Sequence, residues 1–135
     1  TVGSNYRGKI EKAVQLTESH DFILVNIKAT DVAGHDGNYL LKREVIEEID
    51  KGLEPLRTIG ERTVLCITGD HSTPCSFRDH SGDPVPIVFY TDGVMNDGVQ
   101  FFDEFSSSHG SLRITSYNVM DILMQLAGRS EKFGS

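Results

Sequence analysis

Three short stretches concentrate the side chains that could do chemistry: Asp31-Val32-Ala33-Gly34-His35, Gly69-Asp70-His71-Ser72 and Asp79-His80-Ser81-Gly82-Asp83. Together they hold three of the five histidines and four aspartates. Imidazole mixed with carboxylate is the donor set of divalent zinc, manganese or iron. A His/Asp set that leaves coordination positions open is also what metal-assisted phosphate chemistry requires. A single Asp-Gly or Gly-His pair is ordinary turn chemistry. Here the pattern recurs after two separate apolar segments, and that recurrence favours a metal site over solvated turns.

Other chemistries find less support. Cys75 precedes His80 by five residues and could form a nucleophile–base pair, but a small packed thiol is the simpler account. Cys66 sits inside an apolar run and reads as core. Ser72 lacks a G-x-S-x-G elbow, and the chain has neither a P-loop nor a G-x-G-x-x-G. His20 and His109 have no acidic loop partners and read as surface residues. Lys42 and Arg43 open a helix near the first Asp–His stretch. They could offer charge to a phosphate, but a solvated surface pair is the simpler reading.

The elements that must position these groups follow from periodicity. Lys9 to Ser19 carries a modest helical stripe (Ile10, Ala13, Val14, Leu16). Asp21–Lys28, Thr63–Thr68 and Val85–Tyr90 are short, apolar and β-branched, and read as buried strands; Pro86 marks a strand start or an edge. Ala29–Asn38, with two Gly, two Asp and a His, reads as a loop. From Leu41, Val45, Ile49, Leu53 and Leu56 recur at near-fourfold spacing, so an amphipathic helix is expected with Asn38 as its N-cap. Ser116–Leu126 reads as the last helix. Strands separated by helix-length segments predict an α/β fold with a mostly parallel sheet flanked by helices. In such a sheet, loops after two strands share an edge where ligands gather.

The chain has 135 residues, 38% hydrophobic and 24% charged, which fits one globular domain over residues 1–135. Thirteen basic against 20 acidic residues give a net charge of −7. That balance argues against nucleic acid as a partner. No apolar run approaches the roughly 20 residues of a membrane span. Two cysteines make no disulfide scaffold, so a cytoplasmic location is expected. The chain opens on Thr1 rather than Met and offers few strands. Both features suggest a portion of a longer domain, with an open sheet edge through which the portion would self-associate.

Asp31-x-x-Gly34-His35, then Gly69-Asp70-His71-Ser72-Thr73-Pro74-Cys75, then His80-Ser81-Gly82-Asp83-Pro84-Val85-Pro86 resemble the alkaline phosphatase superfamily. More narrowly, they resemble its archaeal-type cofactor-independent phosphoglycerate mutases. The similarity runs from the first strand to the terminal Gly-Arg-Ser-Glu-Lys-Phe-Gly, residues 128–134. The resemblance implies the C-terminal part of a phosphatase-like domain with two divalent ions, manganese foremost, with zinc, cobalt or magnesium as alternatives. Asp31, His35 and His80 would hold one ion; Asp70 and His71 would contribute to the second. The implied reaction interconverts 3-phosphoglycerate and 2-phosphoglycerate through a phosphoserine. Its nucleophilic Ser, a further Asp ligand and an inserted substrate-closing domain match nothing in these 135 residues. The chain alone is therefore expected to be inactive. A metal-dependent phosphohydrolase or phosphonate hydrolase of the same superfamily would share these ligands, and a catalytically silent metal-binding fragment is the remaining alternative.

Overall fold

The computed structural model describes residues 2–130; the end of the family-like C-terminal motif, residues 131–134, lies outside them. The described residues form two compact units, one of residues 2–59 with His71–Asp83, the other of Gly60–Asp70 with residues 84–130.

The first unit is helical. Helix α1 spans Tyr6–Leu16, α2 Ala29–His35 and α3 Tyr39–Gly52, followed by a 3-10 turn at Glu54–Thr58. Helix α1 begins earlier than the stripe from Lys9 suggests, because the Asn5 side chain accepts the Gly8 N–H at 2.8 Å and caps the first turn. Helix α3 has the expected cap: Asn38 Oδ1 accepts the Leu41 N–H at 3.0 Å. Tyr6 of α1, Ala29 of α2 and Val45 of α3 are buried against one another, with Ile27, Leu41 and Ile49 packed around them.

Two expectations are corrected here. Ala29–Asn38 is not a loop throughout, since residues 29–35 form α2. Ala29 and Ala33, one turn apart, are both fully buried and let the helix pack closely, which outweighs the poor helix propensity of Gly34. Asp21–Lys28 joins no ladder among the described residues. Ile23, Val25 and Ile27 are half-buried and alternate with exposed neighbours, Leu24 being 79% exposed. The period is that of a strand, but a strand needs hydrogen-bonding neighbours to become one.

The second unit carries the sheet. Strand β1 (Leu65–Thr68) pairs with β2 (Ile87–Tyr90), in the register Leu65↔Tyr90 to Thr68↔Ile87. Pro86 stands just before β2, as its missing N–H demands. The α/β class holds, but the described pair is antiparallel rather than parallel. The connection from β1 to β2 contains turns and no helix, and a parallel return requires a crossover, usually a helix. Helices α4 (Glu104–Ser107) and α5 (Ser116–Leu126) complete this unit. Among the described residues no helix is long and apolar enough to cross a membrane.

Candidate metal centre

Helix α2 places Asp31 and His35 on one face, because residues four apart stack along a helix. The third group arrives from residues 71–83. There Ser72 and Ser81 form an isolated antiparallel bridge, with the Ser81 N–H donating to the Ser72 carbonyl at 3.0 Å. That bridge closes the loop between them and sets His71 beside His80, their rings stacked with centroids 3.7 Å apart. Inside the loop, the Phe77 and Arg78 N–H groups both donate to the Pro74 carbonyl, at 3.0 and 2.8 Å. Arg78 has φ +58°, the left-handed region that non-glycine residues rarely enter. Its carbonyl accepts the His35 Nδ1–H at 3.1 Å.

Asp31, His35 and His80 converge. His35 Nε2 lies 3.3 Å from Asp31 Oδ1, His80 Nε2 lies 3.5 Å from the same oxygen, and the two Nε2 atoms are 3.3 Å apart. A tetrahedral ion with ligands at about 2.0–2.1 Å has neighbouring donors roughly 3.3–3.4 Å apart. The triangle therefore has the edge lengths of one face of such a polyhedron. Its chemistry fits as well. Because His35 Nδ1 donates to a carbonyl, the neutral ring turns a bare Nε2 lone pair inward. The Asp31 side chain is 15% exposed, while those of His35 and His80 are 40% and 52% exposed. One side of the triangle is thus rooted in protein and the other open. Burial pushes the Asp31 carboxyl upward, but the Thr73 hydroxyl and the charges of His35, His71 and His80 outweigh it and hold the group below its ordinary value. An open pocket of about 410 Å³ adjoins His80, with Ser76, Phe77, Ser81 and Asp83 in its lining.

Of the five expected ligands, the structure brings Asp31, His35 and His80 together and stacks His71 on His80. Asp70 lies in the other unit, two residues past β1. The remaining loop aspartates are engaged locally: Asp79 accepts the His80 N–H at 2.8 Å and Asp83 the Ser81 hydroxyl at 2.7 Å. Cys75 is half-buried and points its thiol at the Ala33 carbonyl, 3.9 Å away, as a packed residue does. His20 bonds the Ser19 hydroxyl, and His109 bonds the Phe105 carbonyl.

Thr73 escaped the sequence reading, and Lys42 has a role other than the solvated one expected for it. Thr73, 4% exposed, donates its hydroxyl to Asp31 Oδ1 at 2.8 Å. Lys42 is no solvated partner of Arg43; its ammonium donates to the Thr73 carbonyl at 2.7 Å and braces the loop against α3. Gly34 permits this close packing, since a Cβ there would collide with the Thr73 carbonyl oxygen. The sequence signal available here was for helix α2 itself, in the shared i,i+4 spacing of Ala29/Ala33 and Asp31/His35.

The model of the metalloenzyme superfamily matches residues 2–126. This chain belongs to the metalloenzyme superfamily. Within it, the chain is 83% identical over 135 residues to the 2,3-bisphosphoglycerate-independent phosphoglycerate mutase of Thermoplasma acidophilum, covering all of this chain and 33% of that protein. It is 48% identical over 134 residues to the enzyme of the same name from Picrophilus torridus, again covering 33% of the relative. A solved protein from Pyrococcus horikoshii superposes with a TM-score of 0.91 at 42% identity, over 97% of this chain and 41% of that one. A solved cofactor-independent phosphoglycerate mutase from Thermoplasma acidophilum gives a TM-score of 0.74 at 67% identity, over 92% of this chain and 29% of that one. This superfamily chain thus spans about a third of the length of the curated relatives it matches. The superfamily match and the donor triangle both support divalent-metal binding.

Proposed function

We propose that this chain is the C-terminal, metal-ligating part of a divalent-metal-dependent, cofactor-independent phosphoglycerate mutase. The observation that carries the reading is the Asp31–His35–His80 triangle, with edges of 3.3, 3.3 and 3.5 Å, in a chain of the metalloenzyme superfamily. The names of its relatives supply the substrate class.

In this reading Asp31, His35 and His80 hold one ion, manganese foremost. Asp70 and His71, adjacent in the chain, contribute to a second. Such ions lower the pKa of a nucleophilic hydroxyl and neutralise charge on phosphate oxygens. Asp31 enters as a full carboxylate, and the Arg78 carbonyl holds His35 with Nε2 bare. The phosphoryl group passes from 3-phosphoglycerate to a serine outside this chain, the glycerate reorients, and the group returns to the 2-position. We read the two units as parts of one phosphatase-like domain. The strand-like segment 21–28, which joins no ladder among the described residues and leaves Leu24 79% exposed, supports a ladder completed by the rest of that domain; by itself the segment invites self-association. Two unpaired cysteines, Cys66 and Cys75, support a cytoplasmic setting.

The test is coupled conversion of 3-phosphoglycerate with manganese present, in the full-length protein and in this chain alone. Mutase turnover by the full-length protein and none by the chain is expected. Phosphate release from monoesters without isomerisation would replace the mutase with a phosphohydrolase, and turnover by the chain alone would overturn the external serine.

A further inference from the structure

Thr73 makes two side-chain contacts that together have one solution. Its hydroxyl carries a single proton, and Asp31, an ionised carboxylate, can only accept; the proton therefore goes to Asp31 Oδ1, 2.8 Å away. His71 Nδ1 lies 3.1 Å from the same hydroxyl oxygen, which now has only lone pairs to offer. His71 must then be the donor, so its neutral ring carries the proton on Nδ1. The hydroxyl is fixed from behind as well. Thr73 is 4% exposed, and its backbone carbonyl is held by the Lys42 ammonium at 2.7 Å.

We infer that Thr73 is a positioning residue that sets the Asp31 carboxylate and the His71 tautomer through one hydroxyl, tying a donor of the triangle to the imidazole stacked on His80. The inference rests on the metal-centre reading above and deepens it. One side-chain proton orients donors from two segments 40 residues apart along the chain, Asp31 on α2 and His71 past β1. A hydroxyl suits this role because it can donate and accept at once, whereas the methyl of an isosteric valine does neither.

The experiment compares Thr73→Val, Thr73→Ser and His35→Ala in the full-length protein. One readout is manganese affinity by titration calorimetry; the other is the His71 tautomer from the ring 15N shifts of histidine-labelled, metal-free protein, at a pH well above the imidazole range. Thr73→Val should weaken manganese binding by roughly 10- to 100-fold, the usual effect of losing an outer hydrogen-bond partner. It should also shift His71 from the Nδ1–H form toward a mixture. Thr73→Ser should restore both. Loss of packing alone would move neither the tautomer nor the serine rescue, since serine lacks the methyl but keeps the hydroxyl. Wild-type affinity and tautomer in Thr73→Val would overturn the inference, as would a folded Thr73→Ser that binds as poorly as Thr73→Val. His35→Ala separates the two readings: if it binds manganese like wild type, the triangle itself is not the metal site.

Discussion

The Nε2 atoms of His35 and His80 lie 3.3 Å apart although 45 residues separate them. With His35 Nδ1 committed to the Arg78 carbonyl, the His35 Nε2 lone pair faces the other ring. Such an arrangement needs a shared proton or a cation to be favourable. Asp31 Oδ1, within 3.5 Å of both nitrogens, adds the negative charge that makes the position attractive to a divalent ion.

Acidification should empty this position through its histidines first. Asp31 is held below the ordinary carboxylate range by the Thr73 hydroxyl and the neighbouring imidazoles against the upward push of burial, so it stays ionised while imidazoles protonate. Ligand histidines must be neutral to bind, so protons compete with the ion for their nitrogens. Manganese affinity is therefore expected to fall on acidification, with proton uptake on release. Calorimetry in two buffers of different ionisation enthalpy checks it; constant affinity from about pH 8 to pH 5 would contradict histidine ligation.

The same carboxylate makes a separate prediction for the metal-free protein. Its pKa is lower folded than unfolded, so its contribution to stability is present above the unfolded value of about 3.9 and is lost as pH falls through the lower folded one. Asp31→Asn should therefore flatten the loss of stability below about pH 4, measured by denaturant melts monitored by circular dichroism. An unchanged acid limb would remove Asp31 from the set of stabilising carboxylates.

Gly34 tests the packing of α2 on the loop. Alanine is the better helix former by about 1 kcal/mol, so propensity alone would make Gly34→Ala stabilising. A Cβ there meets the Thr73 carbonyl oxygen, with the Thr73 side chain 3.0–3.1 Å away. The collision is with buried backbone, so the net effect should be destabilisation by about 1–3 kcal/mol. Chemical denaturation reads the difference directly. A more stable variant would show that the loop yields easily.

Arg78 separates a backbone role from a side-chain one. Its carbonyl, not its guanidinium, accepts the His35 proton, and its φ of +58° suits glycine better than arginine. Arg78→Gly should keep manganese affinity close to wild type, with stability unchanged or raised by about 1 kcal/mol. A large loss of affinity would assign the guanidinium a part in the site.

Much of the site was legible because its donors cluster in sequence. Asp31 and His35 share one turn, and His71 and His80 flank one loop. The supports were not legible. The Thr73 hydroxyl, the Arg78 carbonyl and the Lys42 ammonium act through bonds to residues between 31 and 43 positions away, and residue type alone does not announce such bonds. In the fold, Asn38 signalled its cap correctly because capping is local. The antiparallel direction of the described pair β1–β2 was not legible, because strand direction depends on what connects two strands, and residues 69–86 return without a helix. Segment 21–28 shows the limit of periodicity: Ile23, Val25 and Ile27 alternate as a strand does, but the ladder depends on neighbours that a pattern cannot supply.

The most direct measurement is manganese or zinc titration of the protein and its His35→Ala variant by calorimetry. His35 is a corner of the donor triangle, and removing it leaves one imidazole and one carboxylate. The wild type should bind at this site with the variant weakened by more than the roughly 100-fold that outer-partner losses reach. Equal affinity in the two proteins would contradict the assignment of Asp31, His35 and His80 as a metal centre.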